Sequence, residues 1–181
     1  MGNTQNIEVK NKLNVLGIIM IAGVIMLILA FVLPYITVSK EHRDSFEDYA
    51  DERVEEDVNI TYGDMKNISL FEYGKMSLLY AEELWGDKEE GIFYFVIILV
   101  AGILAVLTCI NALKNKPITT LIFDIVSFVA ALVLRWDFID RGVTPNDRYV
   151  WGIGFYVYFI STIILFMGCV WKKIDMVKKT K

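Results

Sequence analysis

Four apolar runs, at residues 13–34, 91–113, 118–136 and 150–171, limit what this chain can fold into. Each is close to the ~20 residues a helix needs to cross the ~30 Å hydrocarbon layer of a bilayer. They hold almost no charge. Asp124 is the clear exception, and Arg135 lies near the end of its run. In lipid only helices and closed barrels satisfy every backbone group, and these runs lack the apolar–polar alternation of barrel strands. Of the 181 residues, 55% are hydrophobic, more than a water-soluble domain gathers into unbroken stretches. The expected fold class is an all-α membrane protein. Its core is a left-handed four-helix transmembrane bundle, with a large extracellular first loop that has room for a short β element beside helices. The first run is expected to be a retained span. Its core exceeds the about 7–15 apolar residues of a signal peptide, and no small-x-small cleavage site follows "FVLPYITVSK".

Lysines set the expected orientation. Residues 1–12, the "KNKP" turn at 114–117 and the tail 172–181 hold nine Lys and two acids, Glu8 and Asp175. The other two loops, 35–90 and 137–149, hold nineteen acids. Dense Lys in short flanks marks the cytoplasmic side, and four crossings require both termini on one side. The chain is thus expected in the cell membrane as a multi-pass protein with both termini cytoplasmic. The net charge of −4 hides a basic inner face, suited to anionic lipid headgroups, and an acidic outer one. With the lysines against the membrane, nucleic acid is not an expected partner.

Residue types also bound the chemistry. Cys109 and Cys169 fall inside apolar runs and the outer loops have no cysteine, so no external disulfide framework is expected. They read as two small buried hydrophobes. The only histidine is His42, and no Cys/His metal spacing exists. Intramembrane hydrolases need converging Ser/His, paired Asp or metal-bound His/Glu sets. Nothing in these runs supplies one, and "WGIGF" is not a phosphate loop. The expectation is no catalytic residue, no metal and no cofactor.

Asp124 is the residue that asks for an explanation. At helical spacing Thr120, Asp124, Ser127, Ala131 and Arg135 share one face. The second run has a stripe of Ala101, Ala105, Thr108 and Ala112, and the fourth has Gly154, Tyr158, Ser161 and Gly168 with Thr162 beside it. Small residues let helices approach closely in lipid. The short lysine turn makes the second and third runs an antiparallel hairpin, which brings Thr108 and Ala105 towards the level of Asp124. Two readings follow. In one, Asp124 is a proton or cation site of a small transporter, since acids within a span are functional candidates. In the other, favoured because no repeat or broken helix is evident, it is a hydrogen-bonded pin directed at hydroxyl donors of the second and fourth runs, within a set of intramembrane polar contacts made of Thr108, Thr120, Ser127 and Ser161. The pin implies that Asp124→Asn keeps the assembly and Asp124→Leu loosens it.

The first outer loop divides in two. Residues 41–57, "EHRDSFEDYADERVEED", hold nine acids in seventeen residues without the spacing of a calcium loop. This stretch reads as helical or mobile. Its Glu47, Asp48, Asp51, Glu52, Glu55, Glu56 and Asp57 are candidates for binding a cationic partner by long-range attraction, against the plain alternative of a solvated face. Further on, "NITYGD" suggests a short strand turning at Gly63, and Met76, Leu79, Tyr80 and Leu84 recur at helical spacing. Gly86 ends that helix, which is expected to rest on the bundle or headgroups.

"FVLPYITVS" ending the first run, "NISLFEYG" leading to the second, the lysine turn, and "GIGFYVYFISTIIL" opening the fourth form a recurring order. That order resembles a broad group of uncharacterised four-helix membrane proteins of Gram-positive bacteria. The resemblance implies fold and location only. Some members carry an N-terminal zinc ribbon with paired cysteines, which this chain lacks. The large first outer loop is also similar in topology to claudins, by analogy alone, because their W-x-G-L-W and paired-cysteine signature is missing. The expected function is a non-catalytic membrane accessory or interaction protein that meets a membrane or extracellular protein partner through its acidic loop. The alternatives are immunity against a cationic membrane-active toxin and proton- or cation-linked transport through Asp124.

Overall fold

The computed structural model describes residues 2–56 and 58–179, with backbone alone for 2–14, 84, 85 and 179. Four long helices carry the apolar runs: α1 (Gly2–Val32), α6 (Lys88–Leu113), α7 (Pro117–Asp140) and α8 (Ile153–Lys179). All four are long and apolar enough to cross a membrane. They form a ring in which α1 packs against α8, α8 against α7, α7 against α6, and α6 more loosely against α1. Close approach rests on small residues. A Cβ on Gly23 would lie 2.9 Å from Leu165 Cγ, and one on Gly168 3.1 Å from Met20 Cγ, so α1 and α8 meet through these two glycines. On α6 and α7, Ala101, Ala105, Ala112 and Ala131 are buried.

The large loop is folded. From α1 the chain passes into β1 (Pro34–Val38), then α2 (Arg43–Asp48), α3 (Tyr62–Met65), β2 (Asn67–Ser69), α4 (Leu70–Leu79) and α5 (Ala81–Trp85). A third strand, β3 (Tyr149–Trp151), comes from the second loop. The sheet order is β2-β1-β3 with both pairings antiparallel; Ile36 faces Ile68 on one side and Trp151 on the other. This sheet ties the two loops into one cap on the cap-side end of the bundle. At its root Tyr35 is 1% exposed and meets Phe138, Trp151 and Phe155 edge-on at 5.5–6.1 Å between centroids. Gly152 is obligatory here, since a Cβ would sit 2.3 Å from the Pro34 carbonyl oxygen. Gly154 allows a similar approach to the Leu33 carbonyl, so it serves the α8–β1 junction.

Several boundaries differ from the sequence reading, for local reasons. Residues 149–151 pair in the sheet, so the last helix begins at Ile153. The third helix runs past Trp136 to Asp140, and Asp137 is paired there by Arg141. "NITYGD" does not make a strand. Thr61 forms a single bridge to Arg53, then caps α3, accepting from Asp64 N while Asp64 accepts from Thr61 N. Ser69 and Glu72 repeat this reciprocal capping at α4, which stops at Tyr80. The face that α4 buries is Leu70, Tyr73, Gly74, Met76 and Ser77, whereas Leu79 is exposed. Gly86 closes α5 in the left-handed conformation at φ +74°.

Candidate functional site

The sequence points to two places, and the fold separates them: Asp124 within the bundle, and the acidic stretch on the cap. Asp124 is 2% exposed, and Thr108, Thr120, Ser127, Ser161 and Thr162 are buried as well. The polar stripes of α6, α7 and α8 therefore do face the interior. Arg135, read as sharing that face, is exposed.

The expected hydrogen bonds to Asp124 are not formed. Each hydroxyl is used along its own helix or on another partner. Thr108 Oγ1 donates to the Leu104 carbonyl at 2.9 Å, and Thr120 Oγ1 to that of Lys116 at 2.8 Å. Ser161 Oγ donates to the Tyr158 carbonyl at 2.7 Å, and Thr162 Oγ1 to that of Phe159 at 2.9 Å. The backbone carbonyl one turn back lies within reach of every Ser or Thr in a helix and competes with partners on other helices. The polar link between α7 and α8 is instead Ser127–Tyr158. Tyr158 Oη donates to the Ser127 carbonyl at 3.1 Å and shares a second hydrogen bond with Ser127 Oγ at 2.6 Å.

Asp124 Oδ1 is thus buried without a hydrogen-bond partner. The carboxyl lines a cleft of about 190 Å³ between α7 and α8, walled by Ile125, Phe128, Thr162, Ile163 and Phe166. That volume has room for several waters or a small organic group, and its walls apart from Asp124 and Thr162 are apolar. Cys109 and Cys169 are buried free thiols. Among the described residues no three His, Cys, Asp or Glu side chains gather to hold a metal ion.

On the cap, the acidic stretch starts with α2 and continues through turns held by backbone bonds to residues 60–63, Val54 N to Ile60 O and Tyr62 N to Glu52 O among them. Phe46 is the anchor. It is buried, with edge contacts to Tyr62 at 5.6 Å and Tyr149 at 6.0 Å. Around it Glu47, Asp48, Asp51, Glu52, Glu55 and Glu56 all stay exposed; Asp57 lies outside the described residues. Glu47 is ion-paired to Lys66, whose hydrogen bond and charge hold its carboxyl below the usual range. The other five have no ion pair among the described residues. Arg53, the nearest cation in sequence, points its guanidinium at the Glu56 carbonyl at 3.4 Å. Beside these acids lies a hollow of about 330 Å³ bounded by His42, Tyr49, Glu52, Tyr62 and Arg148. Its lining carries one carboxylate, Glu52, offset by one guanidinium, Arg148, so the excess of negative charge lies on the acids around the hollow and not within it.

A third constellation left little trace in the sequence. Arg141, just past α7, stacks its guanidinium on the Tyr94 ring of α6, 3.6 Å from the centroid. It donates from Nε to Asp137 Oδ2 at 3.0 Å and from Nη2 to Tyr73 Oη of α4 at 3.4 Å. One side chain thereby joins three elements at the cap-side end of the bundle. The i,i+4 pairing with Asp137 is the only part readable from spacing.

The chain matches no protein-family model, no curated protein and no solved structure.

Proposed function

We propose that this is a non-catalytic multi-pass membrane protein whose folded cap recognises a cationic partner outside the cell. The observation that carries the reading is the cap itself. A three-stranded sheet joins both loops into the cap, and backbone bonds from residues 50, 52 and 54 to residues 60–63 fix the stretch that carries five exposed, unpaired acids beside an aromatic hollow. Pre-arranged charge of one sign raises encounter rates with the opposite sign and selects among partners. Orientation is supported by the lysines. Lys114, Lys116, Lys172 and Lys173 lie at the end of the bundle opposite the sheet, where Lys172 donates to Asn115 Oδ1. That end suits the cytoplasmic face and its anionic lipids. A cationic membrane-active toxin, with this protein conferring immunity, is a narrower form of the same proposal. The test is photo-crosslinking in native membranes from position 49, where the exposed Tyr49 borders the hollow. Adducts that disappear in Asp51→Lys/Glu55→Lys and weaken with salt are expected; their absence from native membranes counts against the reading.

A second reading is favoured by a specific observation, the unpartnered Asp124 oxygen at a cleft between two spans. Such an acid could bind a proton or small cation in a transport cycle. Flux in proteoliposomes that Asp124→Asn abolishes would establish it, and identical flux in the variant would remove it.

A further inference from the structure

On the opposite side of the ring from the Asp124 cleft, α1 and α6 leave a groove of about 720 Å³ open at the side, with α4 lying over its cap-side end. Its walls are apolar, including Ile28 and Phe31 of α1, Leu78 of α4, and Phe95, Gly102 and Val106 of α6. The groove is built rather than accidental. Gly74 lets α4 close onto α6, since a Cβ there would lie 3.3 Å from Ile98 Cγ2, and Gly102 keeps the floor open, with only Phe31 near it at 3.7 Å. The volume is in the ~300–1,000 Å³ range of ligand clefts.

We infer that this groove binds an anionic phospholipid of the leaflet nearest the cap, with an acyl chain along α6 and its phosphate at Lys75. Two features choose that occupant. The lining of α6 runs from Phe95 to Leu107, a rise of about 18 Å along the helix. That is roughly half of a ~30 Å hydrocarbon core, the depth of one leaflet. Lys75 is the one charged residue of the lining and stands at the end where α4 lies. It is exposed and has no ion pair among the described residues, so its ammonium is free for a phosphate. An apolar partner helix would gain nothing from a cation at that depth, whereas an anionic headgroup would.

The inference rests on the membrane reading above and is independent of the acidic surface. The experiment is native mass spectrometry of the full chain released from nanodiscs of equal phosphatidylcholine and phosphatidylglycerol. One phospholipid should stay bound, enriched several-fold in phosphatidylglycerol. Lys75→Gln should bring the two lipids to parity without loss of retention. Gly102→Phe, which fills the floor, should lower retention at least tenfold. No retained lipid, equal retention by Gly102→Phe, or a dimer free of lipid would each overturn the inference. Alkaline carbonate extraction of the membrane fraction separates the two failures. A chain that stays embedded but holds no lipid refutes the groove alone, whereas a chain that washes off refutes the membrane reading too.

Discussion

Replacing Asp124 by leucine should make this protein more stable. Leucine has the same branching as aspartate, so the change swaps two oxygens for two methyls at nearly constant shape. The 190 Å³ cleft beside the side chain leaves room for the slightly larger groups. A buried polar atom without a partner costs about 1–3 kcal/mol, and Asp124 Oδ1 is such an atom. Replacement by an apolar group of like shape recovers that cost. In a chain of this size, 1 kcal/mol moves the thermal midpoint by roughly 2–4 °C. The expected rise for Asp124→Leu is therefore about 2–12 °C, read from tryptophan fluorescence of the detergent-solubilised protein. Asp124→Asn stays polar and unpartnered, and should shift the midpoint far less. Tyr158→Phe is the opposite control. It removes the hydrogen bonds that do join α7 to α8, and should cost about 1–2 kcal/mol. A fall of more than about 1 kcal/mol for Asp124→Leu would mean the carboxyl is held by donors and would refute the reasoning.

Three further outcomes are expected. Arg141→Lys keeps the charge but loses the planar fork and the stacked contact with Tyr94, and should cost about 2 kcal/mol in a denaturant melt. Gly152→Ala drives a Cβ into the Pro34 carbonyl and should loosen the cap by about 1–3 kcal/mol, seen as faster proteolysis of residues 35–90 with the helices intact. Glu47 should titrate below the usual carboxylate range by nuclear magnetic resonance, and Lys66→Gln should return it to that range. The sign follows from its lowered pKa in the folded state. The stabilisation is present above the unfolded pKa and fades as pH falls through the folded one.

The four long helices were legible because each carries an apolar run long enough to cross a membrane, and no local breaker interrupts it. The polar stripe was legible too, since Thr108, Thr120, Ser127 and Ser161 are all buried as their spacing implies. What they bond to was not. Spacing shows which face a hydroxyl occupies, but not whether it prefers its own carbonyl to a neighbouring helix. The choice fell on the carbonyls and on the Ser127–Tyr158 pair, leaving Asp124 alone, so the expected effect of Asp124→Leu is reversed. The sheet was hidden for another reason. β2 and β3 are three residues each, too short for alternation to register, and they exist only because β1 lies between them. Arg141 was hidden because Tyr94 and Tyr73 lie 47 and 68 residues away in the chain.

Everything proposed here depends on the cap and the lysine-rich ends facing opposite sides of a bilayer. Single cysteines at Glu55 and at Asp175, in a background with Cys109 and Cys169 replaced by alanine, test this with a membrane-impermeant maleimide on intact cells. Labelling at 55, with 175 reached only after lysis, is the predicted result. Labelling of 175 on intact cells, or protection of 55 until lysis, would contradict the account.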